Sequence, residues 1–173
     1  DAVAERIAAH LAKVVVGDPS VEGVKMGALA SHAQQADVAE RVALLRQDAE
    51  VVCGGGDGFA PVGEGTAAGA FFQPTLLLAR NPLANSAVHD VEAFGPVSTL
   101  MPYDGVDEAL QLAARGQGSL VCSLITKSPE TAATMVPALA ALHGRVHVLD
   151  RVSAAESTGH GSPLPVLKHG GPG

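Results

Sequence analysis

The sequence predicts an α/β chain with an open, mostly parallel sheet and helices on both faces. Two observations predict it. Stretches with helical spacing alternate with short apolar runs that end in glycine or proline, the pattern of strands joined by helical crossovers. Of the 173 residues 47% are hydrophobic but only 3% aromatic, so the core must be built from Ala, Val and Leu, which suits helices layered on a sheet. The length is enough to bury a sizeable core, and one compact unit over residues 1–173 is expected.

Val3, Ile7, Leu11 and Val14 recur at helical spacing, with Gly17-Asp18-Pro19 as the stop, so the first element is an amphipathic helix. A second helix is expected from about Gln34 to Asp48, with Val38, Val42 and Leu45 on one stripe. "EVVCGGG" then reads as a short strand closed by glycines. After a glycine-rich loop over 54–69, "AFFQPTLLL" reads as a strand in which Pro74 marks an edge or a bend, and "PVSTLMPY" as another. "GVDEALQLAARG" is a helix and "SLVCSLIT" a buried strand. "SPETAATMVPALAALHG" is a helix with Ser128 as N-cap and Pro129 in its first turn, kinked at Pro137. "RVHVLD" is the last strand, and the residues from Arg151 are expected to be irregular.

The formal charge of −7, with no basic cluster, argues against nucleic acid or an anionic membrane surface as partner. No apolar run is long enough to cross a bilayer. Cys53 and Cys122 lie in apolar stretches without a C-x-x-C spacing, as buried thiols of a reducing compartment would, and a cytoplasmic location is expected. The start is helix text without a leader, as though the chain were cut from something longer.

Several motifs fall short of a function. "GEGTAA" fits a loosened dinucleotide pattern but runs into "GAFFQPT" instead of a helix that could face a pyrophosphate. His143 and His147 have zinc-pair spacing, yet Gly144 interrupts the helix between them and no Glu stands beside His143. "KHGGPG" is similar to an α/β-hydrolase oxyanion loop, but no G-x-S-x-G is present. Neither cysteine has a nearby His and Asn.

"VEAFGPVSTL" carries more. "EAFGPV" resembles the E-x-F-G-P-[IV] signature of the aldehyde dehydrogenase superfamily, and its neighbours follow in that family's order. "VVVGDP", "MGALAS", "GAFFQPTLL", "GSLVCSLITKSPETA" and "GRVHVLD" each resemble a family passage, together covering about Leu11 to Asp150. The tail "STGHGSPLPVLKHGGPG" departs from the general pattern and is similar to the ring-opening aldehyde dehydrogenases of phenylacetate degradation, which are fused to an enoyl-CoA-hydratase-like domain.

The resemblance implies a partial aldehyde dehydrogenase catalytic domain, with NADP or NAD as cofactor in the intact enzyme and a small, CoA-linked aldehyde as substrate. It implies homodimers or higher homo-oligomers. It also implies that the nucleophilic cysteine, the general-base glutamate, the dinucleotide-binding domain and the terminal oligomerisation strand lie elsewhere, so no catalytic residue is expected in this chain. Such an enzyme forms a thiohemiacetal on its cysteine, passes a hydride to the nicotinamide and hydrolyses the thioester.

Within that scheme Glu92 would accept hydrogen bonds from the ribose hydroxyls. Phe94, on the same side of an extended segment, would pack against ribose and ring. For Glu92 the plain alternative is a solvated edge carboxylate, and for Phe94 an ordinary core ring. By position, Ser157, Thr158 and His160 correspond to the lining of the aldehyde tunnel. A non-catalytic association module of the same fold, or an α/β-hydrolase-like piece, are the other readings.

Overall fold

The computed structural model of the chain describes residues 2–55 and 59–156. Helix and strand mix as expected for an α/β chain, but the backbone divides into two compact units, one within residues 1–102 and one within 103–173, where one unit was expected. The physical basis is in the ladders. The described strands form a three-stranded and a two-stranded sheet, and each sheet's hydrogen bonds close within its own unit.

In the first unit, α1 (Ala2–Leu11) packs on β1 (Glu50–Cys53) and β2 (Thr75–Leu78), with Ala4 buried. It ends before the expected stop at Gly17. The run Val14-Val15-Val16 is β-branched throughout, and such residues lose side-chain freedom in a helix. Val16 instead bridges Met26, and Gly17 bridges Val62 so closely that a Cβ at Gly17 would collide with the Val62 carbonyl.

Helix α2 (His32–Leu45) starts at Ser31, whose side chain accepts from the Gln34 N–H, and it buries Val38, Val42 and Leu45 along the expected stripe. In the sheet β2 is central, antiparallel to β1 and parallel to β3 (Val97–Leu100), with Thr75 opposite Val97 and Leu78 opposite Leu100. All of β2 is buried. The strand is shorter than "AFFQPTLLL" suggested because Pro74 has no N–H to give a central ladder, so pairing begins at Thr75. Leu45, Ala49, Leu77, Ala79 and Val88 form one core cluster, and Val38, Val42 and Phe72 a second. Val88 belongs to a short helix, α3 (Ala87–Asp90), that the sequence did not announce. Its first N–H groups are taken by the Asp48 carboxylate, which accepts from Ser86 N at 3.0 Å and Ala87 N at 2.7 Å.

The second unit alternates α4 (Gly105–Arg115), β4 (Ser119–Ile125), α5 (Pro129–Ala140) and β5 (His143–Leu149), with β4 and β5 parallel. Ser128 caps α5 by accepting from Thr131 N at 3.1 Å, Pro129 opens it, and Pro137 lies inside it. "SLVCSLIT" is a strand, but not a buried one: Leu120 is 56% and Ile125 75% exposed. The expected irregular tail begins with a helix, α6 (Arg151–Glu156), because Asp150 accepts from Ser153 N at 2.7 Å and Val152 N at 3.0 Å. Among the described residues no helix is long and apolar enough to cross a membrane.

Candidate functional site

Between α3 and β3 residues 91–94 lie outside helix and strand, with Val91 extended. Their side chains alternate between a half-buried and an exposed side. Val91 and Ala93 pack inward against the cluster around Leu77. Glu92 and Phe94 face outward together, and Phe94 is 70% exposed. Phe94 is therefore no core ring.

The segment is held by bonds that the motif itself supplies. Gly95 N donates to Ala93 O at 2.8 Å and Val97 N to Gly95 O at 2.8 Å, which makes the turn. Thr75 N donates to Pro96 O at 2.8 Å, which sets the start of the parallel ladder with β2. Gly95 also has to be small, since a Cβ there would lie 2.7 Å from a Val38 methyl of α2.

A further residue, read from the sequence only as the start of a helix, completes the cleft. The Gln34 side chain donates through Nε2 to Phe94 O at 2.8 Å, while its Oε1 accepts from Ala30 N at 3.0 Å. Gln34, Glu92, Ala93, Phe94 and Gly95 line one open cleft. The available signal was the spacing Ser31-x-x-Gln34, the capping-box pattern in which the side chain three residues into a helix reaches back toward the preceding backbone. Its second bond, to Phe94, spans 60 residues and leaves no local trace.

Chemically, the cleft offers a carboxylate with no hydrogen-bond partner among the described residues, next to an exposed aromatic ring. Two carboxylate oxygens can accept from a pair of neighbouring hydroxyls, and the ring gives an apolar surface for what those hydroxyls carry. Ser157, Thr158 and His160 lie outside the described residues, so of the residues named from the sequence only Glu92 and Phe94 are brought together.

The other motifs are placed elsewhere. Gly63 and Gly65 take positive φ and lead into a single 3-10 turn, Thr66–Ala68, not an α-helix. His143 and His147 lie on β5; the His143 Nδ1 is 2.7 Å from Ser119 Oγ on β4. Among the described residues no cluster could hold a metal ion. Cys53 and Cys122 are free, half-buried strand residues, and burial pushes the Cys122 thiol above its ordinary value, away from the thiolate that a nucleophile requires.

Residues 1–161 match the sequence pattern of the aldehyde dehydrogenase family. The 3,4-dehydroadipyl-CoA semialdehyde dehydrogenase of Aromatoleum evansii is 47% identical over 171 residues, which are 99% of this chain and 33% of that protein. Protein MaoC of Klebsiella aerogenes is 50% identical over 149 residues, 86% of this chain and 43% of that protein. The chain thus spans between a third and a half of the length of these relatives. Among solved structures, an aldehyde dehydrogenase of Mycobacterium tuberculosis complexed with NAD+ superposes with a TM-score of 0.71 at 26% identity, over 86% of this chain and 29% of that one. PnpE of Pseudomonas sp. WBC-3 also gives 0.71 at 26% identity, over 83% of this chain and 28% of that one.

Proposed function

The chain belongs to the aldehyde dehydrogenase family, and from that premise we propose that it is part of an NAD(P)-dependent semialdehyde dehydrogenase. Its substrate is a CoA-linked semialdehyde from phenylacetate ring cleavage; the name of the Aromatoleum relative supports the CoA-linked semialdehyde, and the ring cleavage rests on the resemblance of the tail. The enzyme works in the cytoplasm, as the two free cysteines favour.

The observation that carries the reading is the outward pairing of Glu92 and Phe94 on a fixed segment. A bound nicotinamide would supply the hydride acceptor. Glu92 accepts hydrogen bonds from the ribose hydroxyls, and Phe94 packs against ribose and ring, so that this segment orients the cofactor for transfer. Ser157, Thr158 and His160 belong to the aldehyde side on the resemblance alone.

The test is Glu92→Gln in the intact enzyme. The change keeps the size and removes the charge from hydrogen bonds worth about 1.5–3 kcal/mol. Hydride transfer is expected to slow by about ten- to a hundredfold, with acylation affected less. A deuterated aldehyde should then show a larger isotope effect than in the parent. An unchanged rate and isotope effect would remove Glu92 from the cofactor site.

By itself the chain is expected not to oxidise aldehydes, since burial raises the Cys122 thiol and neither cysteine has a nearby His and Asn in the sequence. NAD(P)H formed by the isolated chain from a semialdehyde, and abolished by Cys53→Ala or Cys122→Ala, would overturn this.

A further inference from the structure

The Phe94 carbonyl stands at a point where the backbone has little else to hold it. Residues 91–95 precede β3 and take no part in a ladder, and the turn bonds from Gly95 and Val97 close on Ala93 and Gly95, leaving Phe94 O out. What reaches Phe94 O is the Gln34 amide, at 2.8 Å. That amide is itself fixed at both ends. Its Oε1 accepts from Ala30 N at 3.0 Å, which sets the amide plane, and the residue's backbone N–H donates to Ser31 Oγ at 3.1 Å. Gln34 ties the start of α2 to the one residue between Glu92 and the Gly-Pro turn whose ring must stay outside.

We propose that Gln34 is a positioning residue for the cofactor site: it fixes the Phe94 backbone through the Phe94 carbonyl, and through it the direction of the Phe94 ring and the Glu92 carboxylate. The proposal rests on the reading of Glu92 and Phe94 as cofactor contacts. Its consequence is specific. Both the carbonyl and the amide are at the surface, so water replaces the lost bond at little cost to stability, and the loss falls on the order of the segment.

The experiment compares Gln34→Met, Glu92→Gln and Phe94→Ala, with the double variant Gln34→Met/Phe94→Ala, in the intact enzyme. Gln34→Met keeps the side-chain length and removes the donor. It should slow hydride transfer about three- to tenfold, with the Michaelis constant for the aldehyde and the melting temperature unchanged. Gln34→Lys, which restores a donor, should recover part of the rate. On the Phe94→Ala background Gln34→Met should add nothing, because residues acting through one another are not additive. If the two effects multiply instead, Gln34 acts on the cofactor directly and the positioning role is wrong. If Glu92→Gln slows transfer while Gln34→Met leaves it unchanged, the proposal fails and the cofactor site stands. If Glu92→Gln itself changes nothing, the cofactor-site reading fails and takes the proposal with it.

Discussion

At Gly95 the constraint is space, not backbone angle. Its φ is not in the left-handed region, yet a Cβ would meet Val38 Cγ2 at 2.7 Å and Cγ1 at 3.0 Å. Val38 cannot give way easily: it is fully buried and packs with Val42 and Phe72. Gly95→Ala is therefore an overpacking change, expected to cost about 1–3 kcal/mol. The strain can also be relieved by pushing the segment outward, which would break the Gln34–Phe94 bond and misdirect the ring. Removing the obstacle should help, so Gly95→Ala combined with Val38→Ala should destabilise by less than the sum of the two. Urea unfolding of the three variants measures this, and strict additivity would show that the two residues do not press on one another. Phe94 and Glu92 were legible because "EAFGPV" resembles a family signature, a pattern contained within six residues. Which of the two faces was buried became clear only with Val91 and Ala93 seated on the core.

Elements with local punctuation were read well, and those completed from far away were not. Ser128-Pro129 marks the start of α5 and Val38, Val42 and Leu45 mark the inner stripe of α2, both within a few residues. Helix α3 depends on Asp48, 38 residues before Ser86, and no short pattern contains both. β4 looked buried because an apolar run reads alike whether or not something covers it. Helix α6 had a local signal that was passed over, Asp150 followed by Ser153, and it gives a prediction. Hydrogen bonds from Ser153 N and then from its hydroxyl hold the Asp150 carboxyl below its ordinary value of 3.8, as does the Val152 N–H, against a small opposing effect of burial. A group whose folded value is depressed stabilises above its unfolded value and loses that contribution as pH falls through the folded one. The start of α6 should accordingly be intact above about pH 4 and fray on acidification below it. Amide exchange at Val152 and Ser153, corrected for intrinsic rates, measures the fraying. Asp150→Asn keeps the capping geometry without the titration, so an identical pH profile in that variant would rule out Asp150 as the cause.

For the molecule as a whole, two terms oppose each other when copies meet. The charge of −7 is repulsive between like chains. Against it stand exposed apolar side chains on the two-stranded sheet, Leu120 at 56%, Ile125 at 75% and Val148 at 40%, on strands that within the described residues pair only with each other. Exposed apolar surface of this kind on a sheet invites a further chain to cover it. Burying these side chains is worth about 1.5–3 kcal/mol each when complete, while surface repulsion is largely screened beyond a Debye length of about 8 Å at physiological salt. Contact should win over charge once salt is present. The chain is thus expected to self-associate, as a dimer or larger, more strongly at moderate than at low ionic strength. Light scattering across a salt series measures this directly. Leu120 and Ile125 lie five residues apart on β4 and so on opposite faces; Leu120→Lys or Ile125→Lys should leave the fold intact, and the one on the contact face should weaken association. A strict monomer at high concentration throughout the salt series would show that these strands meet no second copy. Association untouched by either lysine would place the contact on another surface.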